Sequence, residues 1–520
     1  MPGAELVIGG LLAVAVLASL AERFEIPHAV VLVLGGLALG FVPGTPAIRL
    51  DPSVVFLIFL PPLLYAASFT FAAEDLCANL RPIGFLAVGL VVATVIAVAV
   101  AAHLVIGLHW PAAFVLGAVV APTDPVAATG VLRELGAPAR LATILEGESL
   151  INDGSALTLF KLATGALGAA TFAVGSGVAE FAWIVAGGAA IGLATGWVST
   201  RLRTRVDEPR IEILLALVTT YGAFFVADRV GASGILASVA AGIYLGLHSM
   251  DLSSAEARLQ TYSFWEAATF IAESLLFLLI GLAFQNIVGR LGAYSALELI
   301  GYSVLVIAVV IAARFAWMFT VPYLLGLLER GEGMAVRVSA TERLVLSFGG
   351  MRGAVTVAAA LAIPTTVAGS PVHERDLIVL LAYATVFGTL VLPALSLPPL
   401  LRVLGLAHGE EQRRQARQAR LQLARAALGR ADELAREREI PSDVLERVRA
   451  AYEMEIAAEG PGSDDEPRDD GVKLYRELRR EALEAERKEL ARIRERRSVP
   501  GDTLRQIERE LDLVEARLGT

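Results

Sequence analysis

The stretch Glu146-Gly-Glu-Ser-Leu-Ile-Asn-Asp-Gly-Ser155 places four carboxylate or carboxamide side chains inside a segment otherwise apolar enough to cross a bilayer. A charged group at the bilayer centre costs about 2.5–3.5 kcal/mol on insertion scales, so acids in such segments mark ion or proton pathways. The apolar run predicts a helix over 140–168. On it Glu148 and Asn152 share one face at i,i+4, and Ser149 and Asp153 share the adjacent one. Oxygen ligands therefore converge within about one turn. One carboxylate with hydroxyl, carbonyl and water oxygens suits a hard cation such as Na⁺, and the same carboxylate can carry a proton instead. Glu146, near the start of the helix, reads as a membrane-surface group.

Two other apolar segments are interrupted at their middles. In Val119-Val-Ala-Pro-Thr-Asp-Pro-Val126, Pro122 and Pro125 remove backbone donors and bias the residues before them away from helix. Ser347-Phe-Gly-Gly-Met-Arg-Gly-Ala354 has three glycines and an arginine. Irregular backbone at membrane depth is tolerated only where it is buried or lines a cavity, and its freed groups can ligate ions. Arg352 needs a counter-ion there, since breaking a buried pair costs about 3–5 kcal/mol; Glu148 is the expected partner. Glu273 and Arg314 also fall within spans, as pathway groups or structural contacts. The six histidines, His103, His109 and His248 among them, are scattered mostly at span ends without metal spacing.

The elements that must position these residues follow from composition. The chain has 520 residues, 55% of them hydrophobic, which predicts an all-α polytopic membrane protein. Apolar runs give about thirteen spans, at 5–21, 27–42, 53–72, 82–107, 112–132, 140–168, 178–201, 211–229, 232–249, 263–285, 297–327, 341–364 and 376–403. The first, from Glu5 to Leu20, has no basic region before it and reads as a retained helix. Loops after odd-numbered spans hold most of the arginines, from Arg23 and Arg81 through Arg133, Arg140 and the group Arg201 to Arg210. The other loops hold only Arg49, Arg229, Arg290 and Arg375, so the N-terminus is expected outside and the C-terminus in the cytoplasm. The two interrupted spans lie seven apart. That offset predicts two six-helix repeats of inverted topology, with a broken helix at the matching position of each, joined by the seventh span.

The expected transmembrane domain covers 1–405 and the soluble tail 406–520. The tail is charged: Gln412 to Glu439 reads as helix, Gly460-Pro-Gly-Ser-Asp-Asp-Glu-Pro467 opens a flexible linker near 460–471, and Val472 to Arg497 reads as helix again. Ile440-Pro-Ser-Asp-Val-Leu445 and Val499-Pro-Gly-Asp-Thr-Leu504 each resemble a helix start. No glycine-rich nucleotide loop is seen in the tail, so no cofactor is expected. Cys77, the single cysteine, excludes an intrachain disulfide. Charged residues of both signs crowd the tail, so the net charge of −9 says little about partners, and no nucleic-acid partner is expected.

Taken together, Pro122-Thr-Asp-Pro125, Glu146 to Gly154, Ala272-Glu-Ser-Leu-Leu-Phe-Leu-Leu-Ile-Gly281 and Phe348-Gly-Gly-Met-Arg-Gly-Ala354 resemble the sodium/proton exchanger superfamily in its cation/proton antiporter 1 branch, across essentially the whole membrane part. The resemblance implies a homodimer in the cell membrane, with a dimer domain and a mobile six-helix core. Position by position, it implies that Asp153 is the ion- and proton-binding aspartate preceded by the family's asparagine, Asn152. It further implies that Thr123 and Ser149 are Na⁺ ligands with Asp153, that Asp124 supports the helix crossing, and that Glu148 and Arg352 form an intramembrane ion pair. Asparagine at 152, where electrogenic relatives have a second aspartate, implies one-for-one electroneutral exchange. The match departs at Phe59-Leu-Pro-Pro-Leu-Leu-Tyr65: many members carry an acid just after the prolines, where this chain has Ala66 and Ala67.

The expected function is therefore exchange of Na⁺ or Li⁺ for H⁺ by alternating access, with K⁺/H⁺ exchange as the nearest alternative. A channel would need a continuous pore and often a repeated filter, neither of which the sequence shows. A membrane enzyme lacks a nucleophile–base pair or metal cluster, and the tail alone does not suggest a sensor.

Overall fold

The computed structural model describes residues 2–24, 28–42, 52–71, 79–167, 174–206, 208–252, 255–328, 339–367, 370–406, 410–437 and 442–458. Cys77, Arg49, the linker near 460–471, the second tail helix over 472–497 and the segment 499–504 lie outside the described residues. The chain divides into two compact units, 1–408 and 409–520.

The first unit is almost wholly helical. In order it contains α1 (Pro2–Arg23), α2 (His28–Gly40), α3 (Pro52–Thr70), α4 (Leu80–Gly84), α5 (Val91–Ala101), α6 (Trp110–Val120), α7 (Val126–Glu134) and α8 (Ala139–Ala166). It continues with α9 (Val174–Arg203), α10 (Pro209–Arg229), α11 (Gly234–Leu252), α12 (Ala255–Arg290), α13 (Ala296–Leu328), α14 (Ala340–Phe348), α15 (Ala354–Leu361) and α16 (Arg375–Val403). A two-residue hairpin, β1 (Thr366–Val367) with β2 (Ser370–Pro371), links α15 to α16.

Helix dominates because a chain in hydrocarbon must satisfy its backbone internally. Six described segments are long and apolar enough to cross a membrane: 82–106, 181–203, 209–229, 257–279, 296–321 and 375–403. Shorter apolar helices cover 28–40, 57–70, 110–120 and 234–248. Apolar side chains on the outside mark the face available to lipid; on α13 they include Leu297, Ile300 and Val304. The arginine of that same helix, Arg314, is turned inward and buried.

The stretch expected as one plain helix over 82–107 differs in detail. Wide π turns occupy Phe85–Leu90 and Ala102–Ile106, on either side of α5. The first has a packing reason: a π turn leaves carbonyls of the ladder open, and Ser155 of α8 donates to the Ala87 carbonyl at 2.6 Å.

In the second unit, α17 (Glu410–Glu437) and α18 (Ser442–Ala458) follow the charged helical pattern, α18 beginning just after Pro441. Arg449 Nε reaches Asp432 Oδ1 between them at 2.9 Å.

Candidate ion site at the crossing of two broken helices

α6 stops at Val120 and α7 starts at Val126; α14 stops at Phe348 and α15 starts at Ala354. The two breaks cross in contact. Asp124 and Met351 form a single antiparallel bridge, the Asp124 N–H donating to the Met351 carbonyl at 2.7 Å. Asp124 Oδ1 accepts the Val126 N–H at 3.0 Å, an Asx turn that directs the chain into α7. Glycine is required for the approach: a Cβ on Gly353 would lie 2.5 Å from Asp124 Cβ, and one on Gly350 would lie 2.5 Å from Arg314 Cδ.

α8 is fastened to the first break by hydrogen bonds. Ser149 Oγ donates to the Thr123 carbonyl at 2.7 Å, Asn152 Nδ2 donates to Thr123 Oγ1 at 2.5 Å, and the Thr123 hydroxyl donates to Glu148 Oε1 at 3.3 Å. The i,i+4 pair Glu148 and Asn152 thus grips one threonine. Both are buried, as are Ser149 and Asp153.

A cavity of about 610 Å³ opens beside the crossing, lined by Thr123, Asp124, Ser149, Asp153, Glu273 and Thr356 among others. Arg133 and Glu146, paired at 2.5 Å, stand on its lining, Arg133 well exposed. Asn152 and Glu148 are not on its wall. Asp153 Oδ1, Asn152 Oδ1 and Thr356 Oγ1 are buried without a hydrogen-bond partner from the protein. A carboxylate, the hydroxyls of Thr123, Ser149 and Thr356, and the carbonyls of a broken helix are an oxygen set suited to an alkali cation. Among the described residues no group of three or more His, Cys, Asp and Glu is placed to hold a metal.

The expected Glu148–Arg352 pair is not what the structure shows. Arg314 takes Glu148: Nη1 meets Oε1 at 2.5 Å and Nη2 meets Oε2 at 2.9 Å, a two-pronged contact. Arg314 Nε and Nη2 also donate to the Leu346 carbonyl, at 3.0 and 2.8 Å. Arg352 instead donates from Nε to the Val120 carbonyl at 3.1 Å and from Nη1 to the Gly350 carbonyl at 2.5 Å, while its own N–H reaches Thr389 Oγ1 at 3.2 Å. The reason is local. A break leaves carbonyls orphaned at the end of α6, and a cation at a helix C-terminus satisfies them. Arg314 reaches Glu148 past Gly350, which has no side chain to obstruct it.

Two residues escaped the sequence reading. Thr356 follows the glycine-rich break by one turn and adds a hydroxyl from the second broken helix; a lone threonine among alanines and valines gave no signal in the sequence. His28 borders a smaller cavity of about 230 Å³ with Asp124, Glu273 and Arg352, the first two of which also line the larger one. Only the fold brings α2 there.

Crossed broken helices beside buried acids are the site geometry of secondary carriers. The chain belongs to the sodium/hydrogen exchanger family, whose transmembrane profile matches residues 10–403. It is 33% identical to an uncharacterised Na⁺/H⁺ exchanger of Mycobacterium tuberculosis, over 99% of this chain and 96% of that one. It is 32% identical to the low-affinity Na⁺/H⁺ antiporter NhaS1 of Synechocystis, covering 83% and 79%. A sodium, potassium, lithium and rubidium/H⁺ antiporter of Bacillus pumilus is 31% identical, covering 75% and 60%. Among solved structures, the sodium proton antiporter MjNhaP1 of Methanocaldococcus jannaschii superposes with a TM-score of 0.62 at 21% identity, over 77% of this chain and 99% of that one, which shows a shared fold.

Proposed function

We propose that the protein is a secondary active antiporter that exchanges Na⁺ or Li⁺ for H⁺ by alternating access, one for one, with the Asp153 carboxylate as the shared site. The observation that carries this reading is the placement of Asp153. Its Oδ1 lacks a protein partner, and it faces a cavity walled by the first break, at Thr123 and Asp124, and by Thr356 just beyond the second.

In this mechanism the cation sits against Asp153 with oxygens from Ser149, Thr123 and Thr356. A proton on Asp153 removes the charge that holds the cation, so the two ligands exclude each other. Asn152 contributes an amide where an acid would add a second proton, which gives exchange without net charge. Asp124 and Arg352 hold the crossing, and the Glu148–Arg314 pair anchors α8 to α13. Glu273, on the cavity wall from α12, adds negative potential along the pathway, supplying an acid where the third helix has Ala66 and Ala67.

The chain then crosses the cell membrane about thirteen times as two inverted repeats, works as a homodimer in contact with lipid, and has its N-terminus outside and its tail in the cytoplasm. The arginine distribution supports that orientation.

The test is dequenching of a pH dye in everted vesicles on addition of Na⁺, Li⁺ or K⁺ between pH 6.5 and 9, with Asp153→Asn as control. Signals with Na⁺ and Li⁺ that vanish in the control support the reading. A signal with K⁺ alone supports K⁺/H⁺ exchange instead; the Bacillus pumilus relative is an antiporter of sodium, potassium, lithium and rubidium, so K⁺ belongs in the test beside Na⁺ and Li⁺. Undiminished exchange by Asp153→Asn would remove Asp153 from the mechanism.

A further inference from the structure

α8 lines two cavities with its two ends. Glu146, Ser149 and Asp153 face the one at the crossing, whereas Leu157, Thr158, Lys161 and Thr164 face another of about 650 Å³. α3 does the same in reverse, with Leu63 and Leu64 in the first cavity and Leu57 in the second. The second broken helix and the turn after it repeat the pattern, with Thr356 of α15 in the first and Ala362 and Pro364, just past its end, in the second. Between the cavities all three elements are sealed: Leu60, Ala156 and Ala358 to Ala360 have no exposed surface. The Leu236 side chain of α11 is seated on the backbone of Gly154, next to Asp153. Asp153 and Leu157 are only four residues apart, about 6 Å along a helix.

Across this second cavity lies one ion pair. Lys161 Nζ of α8 meets Asp228 Oδ1 of α10 at 3.0 Å, and both side chains are about half exposed and line the cavity. Lys161 is the single lysine in the first 472 residues of a chain otherwise supplied with arginine. Arginine tends to lock a carboxylate with a planar fork, while lysine offers one strongly hydrated point charge. An exposed pair of this kind is weak enough to open repeatedly.

We propose that the second cavity is the other entrance to Asp153, closed by a septum about one helical turn thick, and that Lys161 and Asp228 form the latch that holds this entrance shut. The proposal rests on the antiport reading above. When the latch parts, α8 and α15 move relative to α10 and α11, Leu236 leaves Gly154, and the carboxylate changes the cavity it faces. Lys161 and Asp228 are positioning residues: neither touches the transported ion.

The experiment uses the full chain in proteoliposomes with Cys77→Ser and a reporter, Thr158→Cys, which sits just beyond the septum. Labelling by a membrane-impermeant, positively charged thiosulfonate reads the open fraction. Lys161→Gln and Asp228→Asn should each raise the labelling rate about two- to fivefold, the range that an exposed ion pair can supply. They should also lower the apparent cation KM from the same side. The charge-reversed pair, Lys161→Asp with Asp228→Lys, should return both readouts towards the parent. Unchanged labelling in both single variants, or a reversed pair that behaves like the singles, overturns the latch. Asp153→Asn in parallel separates the two ideas. If it still exchanges, the antiport reading fails; if it is inactive while the latch variants label like the parent, the latch alone fails.

Discussion

Arg314 grips Glu148 with both terminal nitrogens, at 2.5 and 2.9 Å, across 166 positions of sequence. The pair fastens the acid-bearing α8 to α13, a helix that otherwise leaves apolar side chains such as Leu297, Ile300 and Val304 on the outside. Glu148→Gln or Arg314→Met leaves a buried charge unpaired, and each is expected to cost about 3–5 kcal/mol. Replacing both, by Glu148→Leu with Arg314→Met, should cost clearly less than the sum. Thermal melting of the purified protein in detergent checks this. Additive losses would show that the two side chains act independently.

Asp153→Asn is expected to abolish exchange while leaving melting unchanged or slightly raised. The Asp153 Oδ1 atom makes no hydrogen bond to the protein, so an isosteric amide removes charge without breaking a contact. Vesicle transport and melting on the same preparation separate this outcome from misfolding. A large fall in melting temperature would mean that Asp153 supports the fold as well as the ion.

The acid-bearing helix and both breaks were legible in the sequence, because Pro122, Pro125 and the glycines from 349 to 353 act through the backbone of their own segment. The clustering of Glu148, Ser149, Asn152 and Asp153 followed from helical period alone. The ion pair was not legible. Arg314 and Arg352 are both lone arginines in apolar runs, and choosing between them needs the direction of each side chain and the opening over Gly350. Thr356 was missed for a related reason: one threonine in an alanine- and valine-rich helix has no pattern until that helix is placed opposite Asp153.

The glycines of the second break make a sharper test of the crossing. A methyl group on Gly353 collides with the Asp124 side chain, so Gly353→Ala must separate the two breaks. Overpacking of this kind costs about 1–3 kcal/mol, and exchange should fall by more than the loss of folded protein explains. Gly84→Ala is the control, since nothing lies within 4 Å of its added methyl; there the helix should gain up to about 1 kcal/mol. Equal behaviour of the two variants would show that the Asp124–Met351 contact is not needed for transport.

Competition at one carboxylate fixes how rate depends on pH and on cation together. As pH falls, protons occupy Asp153 and exclude the cation, so exchange driven by a fixed cation gradient must slow on the acid side. Because one proton and one cation compete for the same group, a tenfold rise in Na⁺ should move the acidic half-rate point down by about one pH unit. The same stoichiometry predicts that an imposed membrane potential leaves the rate unchanged in proteoliposomes, as no net charge crosses per cycle. An acidic midpoint that stays fixed while Na⁺ varies would place proton and cation on different groups. Glu273 would then be the next carboxylate to replace, because it shares the cavity wall with Asp153. A rate that follows the potential, with the midpoint moving as expected, would instead keep Asp153 as the shared site and require a second proton to travel with each exchange.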